Sequence, residues 1–170
     1  DYISYLDSDD LFLPEKLECL VAAIQQNPAW GMVAGHAVII DENGVRTGNT
    51  YTLPIPAPTE KLLLGNPLHV GSVLVSRSWQ IKAGEFDESL RSYEDWDMWL
   101  RLAKMGCNFG FVEKPVALYR FHTAQMTRIG RQMTHATFAV LDKTFSQSDL
   151  PASWLVIKDK AYSAANLRAM

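Results

Sequence analysis

The chain has 170 residues, a length typical of one domain that can bury a core of its own. Apolar residues make up 48% and charged residues 21%, which is the composition of a globular protein and excludes a disordered, highly charged one. The formal net charge is −3 and no stripe of Lys and Arg is available to neutralise phosphates, so the composition argues against a nucleic-acid binder.

Membrane and disulfide signals are weak. No membrane span is predicted, because the longest nearly uncharged stretch, residues 62–75, is interrupted by Gly65, Asn66, Pro67 and His69. Cys19 and Cys107 lie far apart without a CxxC partner, which predicts free thiols in a reducing compartment. We therefore expect a cytoplasmic protein, which would reach the inner face of a membrane through parts outside this chain.

The first half of the chain alternates between strand and helix patterns. Residues 2–6 predict a short buried strand that ends in an acidic turn at residues 7–10. Pro14 opens a helix whose apolar positions are Leu17, Leu20, Val21 and Ile24. A second apolar run over residues 31–40 predicts a strand that closes in an Asn-Gly turn at residues 41–44.

The middle of the chain predicts shorter elements. Residues 52–58 contain three prolines and predict a loop, and a short helix follows over residues 59–64. Residues 70–76 predict a strand, which a helical turn over residues 77–82 follows. Residues 94–105 carry a regular amphipathic pattern and predict a longer helix.

The last third of the chain changes from strands to helices. Residues 108–112 and 116–121 predict two strands on either side of Pro115. Helical patterns follow over residues 131–145 and 153–168. The whole order predicts an α/β domain with a mixed sheet, flanking helices and a C-terminal helical tail.

Asp7, Asp9 and Asp10 directly follow the first predicted strand. Three carboxylates in four positions repel one another unless a cation or several donors lie among them. Mg²⁺ and Mn²⁺ bind such oxygen ligands, and strand ends are where open α/β sheets bind ligands. The alternative is an Asp-rich turn that only caps the next helix. An EF-hand loop is excluded, because Phe12 stands where that loop needs Gly.

A second acidic cluster, residues 94–97, begins the amphipathic helix. The helix dipole favours acidic residues at a helix start, so capping alone could explain the cluster. The functional alternative is that one of these carboxylates is a general base, with burial or a neighbouring carboxylate such as Glu94 raising its pKa. Trp96 would then be a platform for a sugar ring.

A third cluster, residues 119–122, ends the last predicted strand. Arg120 can pair with phosphate, and the neutral imidazole of His122 can bind a metal ion. A lone histidine after a strand is usually a surface or core residue. The other histidines have no zinc-site spacing and are interpreted as structural; they are His36, His69 and His135.

Four segments, in this order, resemble the motifs of family 2 glycosyltransferases. LDSDD at residues 6–10, followed by LFLPEKLE, resembles the DxD segment of that family. GSVLVSR at residues 71–77 resembles a strand and helix start found midway through it, and YEDWDMWLR at residues 93–101 is similar to its ED motif. YRFH at residues 119–122 is similar to its closing Tyr-Arg-x-His. The ordered set identifies the family over residues 1–122.

The resemblance implies a partial GT-A fold and a divalent metal, Mn or Mg. It also implies transfer of a sugar, with inversion, from a nucleotide-diphosphate sugar to a hydroxyl group of a glycan, lipid or protein. By motif, Asp7 and Asp9 would bind the donor, while Asp9 and His122 would hold the metal. Asp95 would be the general base that takes the acceptor's proton. Two neighbours of this base would contact the acceptor, namely Glu94 and Trp96.

The resemblance further implies that half of the family's domain is missing. Units that bind the nucleotide base should precede the DxD strand, and a domain rarely begins inside an apolar strand as this chain does at Asp1. We therefore expect residues 1–125 to be the acceptor-side and metal-site part, and residues 126–170 a C-terminal helical extension. Such a piece should be inactive alone and able to self-associate through its exposed sheet edge.

Another class of function stays open. A non-catalytic carbohydrate-binding or scaffolding module would keep the sheet but would need no metal. A haloacid-dehalogenase phosphatase also places DxD after a strand, but Asp10 and Leu11 depart from its pattern and no lysine site follows. Metal titration discriminates between the two main hypotheses, because a binding module should bind its ligand independently of metal.

Overall fold

A computed structural model describes residues 1–51, 54, 59–122 and 130–169. The loop predicted over residues 52–58 lies outside the described residues, with residue 54 excepted. The chain divides into two compact units, and each is described by itself. The sheet unit consists of Asp1–Ile55, Pro67–Lys82 and Cys107–His122, and the helical unit consists of Pro56–Asn66, Ala83–Gly106 and Thr123–Met170.

Six strands of the described residues form one mixed sheet. They are β1 (Tyr2–Ile3), β2 (Leu11–Phe12), β3 (Trp30–Ile40), β4 (Arg46–Thr50), β5 (Val73–Ser76) and β6 (Asn108–Arg120). Their order is β1-β5-β3-β6-β2, and β4 pairs with the end of β3. β3 and β6 run parallel, whereas the other neighbouring pairs in this part of the chain run antiparallel.

Helix α1 (Lys16–Gln26) packs against the middle of the sheet. One buried cluster joins this helix to three strands; it consists of Leu20, Ile24, Val33, Leu74 and Val116. Each such side chain contributes about 1.5–3 kcal/mol when it is removed from water, so the cluster fixes the helix on the sheet. The predictions of a helix after Pro14 and a strand over residues 31–40 are confirmed.

The two strands predicted over residues 108–112 and 116–121 are in fact one strand, β6. Pro115 does not end it, because the pairing register with β3 shifts on both sides of His36, the residue that pairs with Pro115. A main-chain carbonyl oxygen of β6 lies 2.8 Å from where a Cβ atom of Gly35 would be. The missing side chain thus leaves room for a bulge, where a proline without an N–H group is tolerated.

The strand predicted over residues 2–6 is shorter in the structure and spans Tyr2–Ile3. The chain leaves the regular ladder at Ser4, whose side chain donates a hydrogen bond to the carbonyl oxygen of Val73 at 2.8 Å. The short strand β2 was not predicted, because two residues carry no periodic pattern.

The strand predicted over residues 70–76 begins later than expected. Residues Val70–Ser72 form a 3-10 turn, and β5 follows it, continued by helix α2 (Arg77–Ala83). His69 causes the turn: its Nδ1 atom accepts a hydrogen bond from the main-chain N–H of Gly71 at 3.1 Å. A polar side chain that binds the main chain locally competes with strand formation in this way.

The helical unit contains a 3-10 helix and three α-helices among its described residues. The 3-10 helix is Thr59–Leu64, and the α-helices are α3 (Glu94–Lys104), α4 (Gly130–Phe145) and α5 (Ala152–Ala169). Helix α5 packs against α4 and against the 3-10 helix, which α3 also contacts. The helices predicted in this unit are therefore confirmed in position.

The predicted class, a mixed α/β fold with flanking helices and C-terminal helices, is confirmed. Cys19 and Cys107 are free thiols, as predicted. Over the described ranges, none of the helices combines the length and the apolar character that crossing a membrane requires. The domain boundary between residues 125 and 126 stays a prediction.

Candidate functional site

The acidic turn at residues 7–10 lies beside the end of β6. The main-chain N–H of Asp10 donates to the carbonyl oxygen of Asp7 at 3.2 Å and closes the turn, which β2 follows at once. β2 pairs antiparallel with Ala117 and Leu118 of β6. The residues just before β2 therefore lie next to the residues that follow Leu118, which are the YRFH segment.

Asp9 and His122 meet at this edge of the sheet unit. The Oδ2 atom of Asp9 lies 3.0 Å from Nε2 of His122, and the two side chains are 39% and 26% exposed. Arg120 strengthens the connection, because its Nε donates to the carbonyl oxygen of Asp9 at 2.8 Å. Two residues that are far apart in the sequence thus present their polar atoms together, within reach of solvent.

Arg120 holds main-chain groups of two loops. Besides Asp9, its Nη1 atom donates to the carbonyl oxygens of Asp41 at 3.1 Å and Glu42 at 3.0 Å. These contacts tie the acidic turn to the turn after β3. The contacts described for Arg120 are thus structural, and phosphate binding by this residue stays a hypothesis.

Asp10 and His69 form a buried pair behind the turn. Their side chains are 1% and 6% exposed, and Oδ2 of Asp10 lies 2.9 Å from Nε2 of His69. The contact is short but lacks the alignment of an ideal hydrogen bond. The other carboxylate oxygen of Asp10, Oδ1, accepts a hydrogen bond from the main-chain N–H of Arg120 at 2.8 Å.

Aromatic rings surround this pair. The rings of His69 and Tyr119 have centroids 4.5 Å apart, and Tyr51 lies 6.0 Å from His69 and 5.2 Å from Tyr119. Apolar rings lower the local dielectric, so the electrostatic contact between Asp10 and His69 is stronger than it would be in water.

Lys16 is a buried cation in the same unit. Its Nζ atom donates to Oγ of Ser4 and to the carbonyl oxygen of Gly71, both at 2.6 Å, and lies 3.5 Å from the centre of the Phe12 ring. Burial lowers the pKa of Lys16 to about 7, since a charged ammonium loses its water shell there. Lys16 thereby anchors the main chain that also contacts His69.

Two sets of side chains at the turn carry atoms that can bind a divalent cation. Ligand atoms of Asp7, Asp10 and His69 lie within 4.8 Å of one another, while Asp9 faces His122 at 3.0 Å. In the first set, Nδ1 of His69 accepts a hydrogen bond, so the ring hydrogen is on Nε2, the atom that would have to bind the ion. The second set fits better, because neighbouring ligands of an octahedral ion with bonds of about 2.1 Å lie about 3 Å apart.

Asp95 lies at the start of α3 in the helical unit, where it is half-buried. Its Oδ2 atom accepts a hydrogen bond from Nδ2 of Asn66 at 2.8 Å, and Oδ1 accepts one from the main-chain N–H of Trp96 at 2.7 Å. Tyr93, just before the helix, has a positive φ of 61°. A strained residue of this kind is uncommon outside glycine and is enriched at functional sites.

The neighbours of Asp95 differ from expectation. Trp96 is 1% exposed and donates from Nε1 to the carbonyl oxygen of Leu62 at 2.8 Å. A sugar ring stacks on an accessible aromatic face, so the hypothesis that Trp96 is a sugar platform does not fit this burial. Glu94 is exposed, whereas Asp97 is buried and binds Arg101 at 2.8 Å.

The sequence profile of one protein family, described as glycosyltransferase like family 2, matches residues 1–161. The chain belongs to this family. The match continues past residue 122 and includes α4 and the first part of α5. The mixed sheet and its flanking helices agree with a partial GT-A fold, as the family predicts.

Curated relatives of this family 2 chain are also glycosyltransferases by name. An uncharacterized glycosyltransferase of Haemophilus influenzae is 32% identical over 129 residues, which are 72% of this chain and 43% of the relative. Chondroitin synthase of Escherichia coli is 31% identical over 105 residues, or 62% and 15%. The putative glycosyltransferase EpsE of Bacillus subtilis is 31% identical over 109 residues, or 62% and 38%. The chain spans less than half the length of each of these relatives.

The sequence did not indicate the contact of His69 with Asp10 or the contact of Lys16 with Gly71. His69 has no metal-site spacing, and Lys16 sits in a helix where an exposed lysine is ordinary. The glycine two positions after His69 is explained only by the structure, in which a Cβ atom at Gly71 would lie 2.8 Å from the imidazole ring.

Proposed function

We propose that this chain is the acceptor-side and metal-site part of an inverting, metal-dependent glycosyltransferase. The enzyme moves a sugar from a nucleotide-diphosphate sugar to an acceptor hydroxyl group. One observation carries the proposal: Asp9 of the DxD turn and His122 at the end of β6 lie 3.0 Å apart in a chain of the family 2 glycosyltransferases.

Asp9 and His122 would hold the divalent cation, Mn²⁺ or Mg²⁺, and the exposed Asp7 would face the donor. Two protein ligands leave coordination positions for water and for substrate phosphates, which is how Mg²⁺ is commonly bound. When bound, the cation acts as a Lewis acid that stabilises charge on the departing nucleoside diphosphate. The protein's own task is to keep Asp9 and His122 at ligand distance, and Arg120 contributes to it through its bond to the main chain of Asp9.

Asp95 is the proposed general base. Asn66 and the main-chain N–H of Trp96 fix the orientation of its carboxylate. A carboxylate has about four acceptor sites, so it can accept hydrogen bonds from several donors at once. Asp95 would take the hydroxyl proton as the oxygen attacks the donor sugar. Glu94, exposed beside it, remains the proposed acceptor contact.

The substrates are proposed by class. The Escherichia coli relative is named a chondroitin synthase, so a glycan is the first acceptor to test, ahead of a lipid or a protein. The family's nucleotide-binding units are expected outside residues 1–125, so the 170-residue chain alone should bind nucleotide sugars weakly and should be inactive. Self-association through the sheet edge remains part of this proposal.

Calorimetric titration of the intact protein with Mn²⁺ tests the proposed metal site. Asp9→Asn and His122→Ala should each weaken Mn²⁺ binding at least tenfold, because each removes one of two protein ligands. His135→Ala is the matched control, since His135 is an exposed histidine of the helical unit. Wild-type Mn²⁺ affinity in both Asp9→Asn and His122→Ala would refute the metal site.

Titration with the nucleotide-diphosphate sugar separates a transferase from a non-catalytic carbohydrate-binding module. Binding of the nucleotide-diphosphate sugar by the intact transferase should require Mn²⁺ or Mg²⁺ and should disappear with EDTA. A binding module would hold its sugar ligand equally well with and without the metal. The anomeric configuration of the product, read by NMR, tests inversion.

A further inference from the structure

The hydrogen bonds around His69 determine which ring nitrogen carries the hydrogen. Nδ1 accepts from the main-chain N–H of Gly71 at 3.1 Å, so Nδ1 has a lone pair and the hydrogen of the neutral ring is on Nε2. The Oδ2 atom of Asp10 lies 2.9 Å from Nε2, so the two side chains are in close electrostatic contact, although the geometry is not that of a hydrogen bond. A ring nitrogen that carries a hydrogen has no lone pair for a metal ion, so His69 in this state cannot be a metal ligand through Nε2.

Contacts of Gly71 fix the position of the His69 ring. Nζ of Lys16 donates to the carbonyl oxygen of Gly71 at 2.6 Å and fixes the residue whose N–H contacts His69. Gly71 also has to lack a side chain, because a Cβ atom would lie 2.8 Å from Cε1 and 3.0 Å from Nδ1 of His69. The position of the ring is therefore set by its surroundings and not by Asp10 alone.

Asp10 connects the two residues proposed to hold the metal. It directly follows Asp9 in the turn, and its Oδ1 atom accepts from the main-chain N–H of Arg120, two residues before His122. The side chain of Arg120 in turn donates a hydrogen bond to the carbonyl oxygen of Asp9. A shift of the Asp10 carboxylate would therefore move the turn relative to the end of β6.

We propose that Asp10 and His69 are positioning residues that keep Asp9 and His122 at ligand distance, with His69 acting through its buried electrostatic contact with Asp10 and not as a ligand. The inference rests on the proposed function, since it assigns a role toward the same metal site. Partners that orient ligands commonly change metal affinity by about 10- to 100-fold when they are replaced.

Two substitutions of His69 separate its contact with Gly71 from its contact with Asp10. His69→Asn places an acceptor near the position of Nδ1, toward Gly71, but removes the N–H group that lies beside Asp10. His69→Gln reaches the position of Nε2 with an amide and keeps an N–H group beside Asp10. In the intact protein, we expect His69→Asn to weaken Mn²⁺ binding about tenfold or more by calorimetry, and His69→Gln to stay within about threefold of wild type.

A paired substitution tests the contact itself. Asp10→Asn can still accept from the main chain of Arg120, but its amide group then faces the N–H of His69, so two donors meet. Mn²⁺ affinity should fall about tenfold or more. Adding His69→Gln should recover most of the affinity, because the glutamine can turn its oxygen toward the new amide. An Asp10→Asn protein with wild-type Mn²⁺ affinity would overturn the proposal.

The tautomer of His69 gives a readout that needs no variant. In ¹⁵N NMR spectra of the wild-type protein, His69 should carry its hydrogen on Nε2, with Nδ1 unprotonated, both with and without Mg²⁺, which is diamagnetic and leaves the spectrum readable. A hydrogen on Nδ1 would contradict the assigned tautomer, and binding of Mg²⁺ by Nε2 would make His69 a metal ligand. Either result would overturn the proposal even if the variants failed to fold.

The outcomes distinguish this inference from the proposed function. Absence of Mn²⁺ binding by the wild-type protein counts against the proposed metal site, whereas the tautomer of His69 can still be read. Wild-type Mn²⁺ binding that depends on Asp9 and His122 but is unchanged in His69→Asn would leave the proposed function standing and would refute the positioning role.

Discussion

The ammonium group of Lys16 donates a hydrogen bond to the carbonyl oxygen of Gly71 at 2.6 Å, inside the sheet unit. Lys16 is one of the largest fully buried side chains of the chain, and its other contacts are Ser4 and the ring of Phe12. A lysine so deeply buried makes the stability of the fold depend on pH, because burial disfavours its charged form.

Lys16 should make the protein more stable as the pH rises above neutral. Desolvation lowers its pKa from 10.5 to about 7, so between these values the unfolded chain binds a proton that the folded chain does not. The contribution of the neutral lysine is complete above about 10.5 and is lost as the pH falls through about 7. Urea unfolding from pH 7 to pH 9 should show this rise in wild type and a smaller one in Lys16→Met.

Lys160→Met is the matched control, because Lys160 is exposed on α5. Its pH dependence of unfolding should follow wild type. The contributions of all other titratable groups are common to the three proteins and cancel in the comparison. Equal slopes for Lys16→Met and wild type would contradict the lowered pKa.

Cys107 should react with alkylating reagents much more slowly than Cys19. Burial raises the pKa of the Cys107 thiol to about 12, against a weaker opposite effect of the main chain of Gly31, and the thiolate is the reactive form. Cys19 is only half-buried. Mass spectrometry after iodoacetamide treatment should find Cys19 modified first, with equal modification in denaturant. Equal rates in the folded protein would argue against the burial of Cys107.

Asp95→Asn should abolish most turnover of the intact enzyme. The substitution keeps the size of the side chain but removes the proton acceptor, and positioned general bases contribute about 10²–10⁴-fold to rate. Mn²⁺ affinity should not change, because Asp95 is not among the proposed ligands. Asp159→Asn, an exposed position on α5, is the control. Near-normal turnover in Asp95→Asn would exclude Asp95 as the base and direct attention to Glu94.

Asp97→Asn should act on stability and not on chemistry. Its buried carboxylate accepts a hydrogen bond from Arg101 at 2.8 Å and lies 2.8 Å from Nζ of Lys143. Replacing the charge weakens both contacts, and we expect a loss of about 2–3 kcal/mol of unfolding free energy. Thermal unfolding and turnover at a low temperature should separate the two effects. A stable Asp97→Asn protein without turnover would give Asp97 a catalytic part.

Local pattern was sufficient for the elements with a long apolar run or a regular period. The strand at Trp30–Ile40 was predicted almost to its ends from a continuous apolar run, and the helix at Glu94–Lys104 from its amphipathic pattern. The ordered motifs around Asp9 and His122 likewise identified the family before any contact was known. Such signals can be read from the sequence, because periodicity and motif order depend only on the order of residues along the chain.

Tertiary structure decided the features that depend on distant partners. β6 continues through Pro115 because β3 offers a glycine at the bulge, and no local rule for proline contains that information. Trp96 looked like a sugar platform in its motif, yet its ring is buried and bonded to Leu62. The contact between His69 and Asp10 could not be predicted from the sequence, because it depends on the pairing of β2 with β6, which places Asp10 beside the end of β6. The physical reason is common to all three: the environment of a side chain is fixed by which strands and helices pack beside it, and those partners lie tens of residues away.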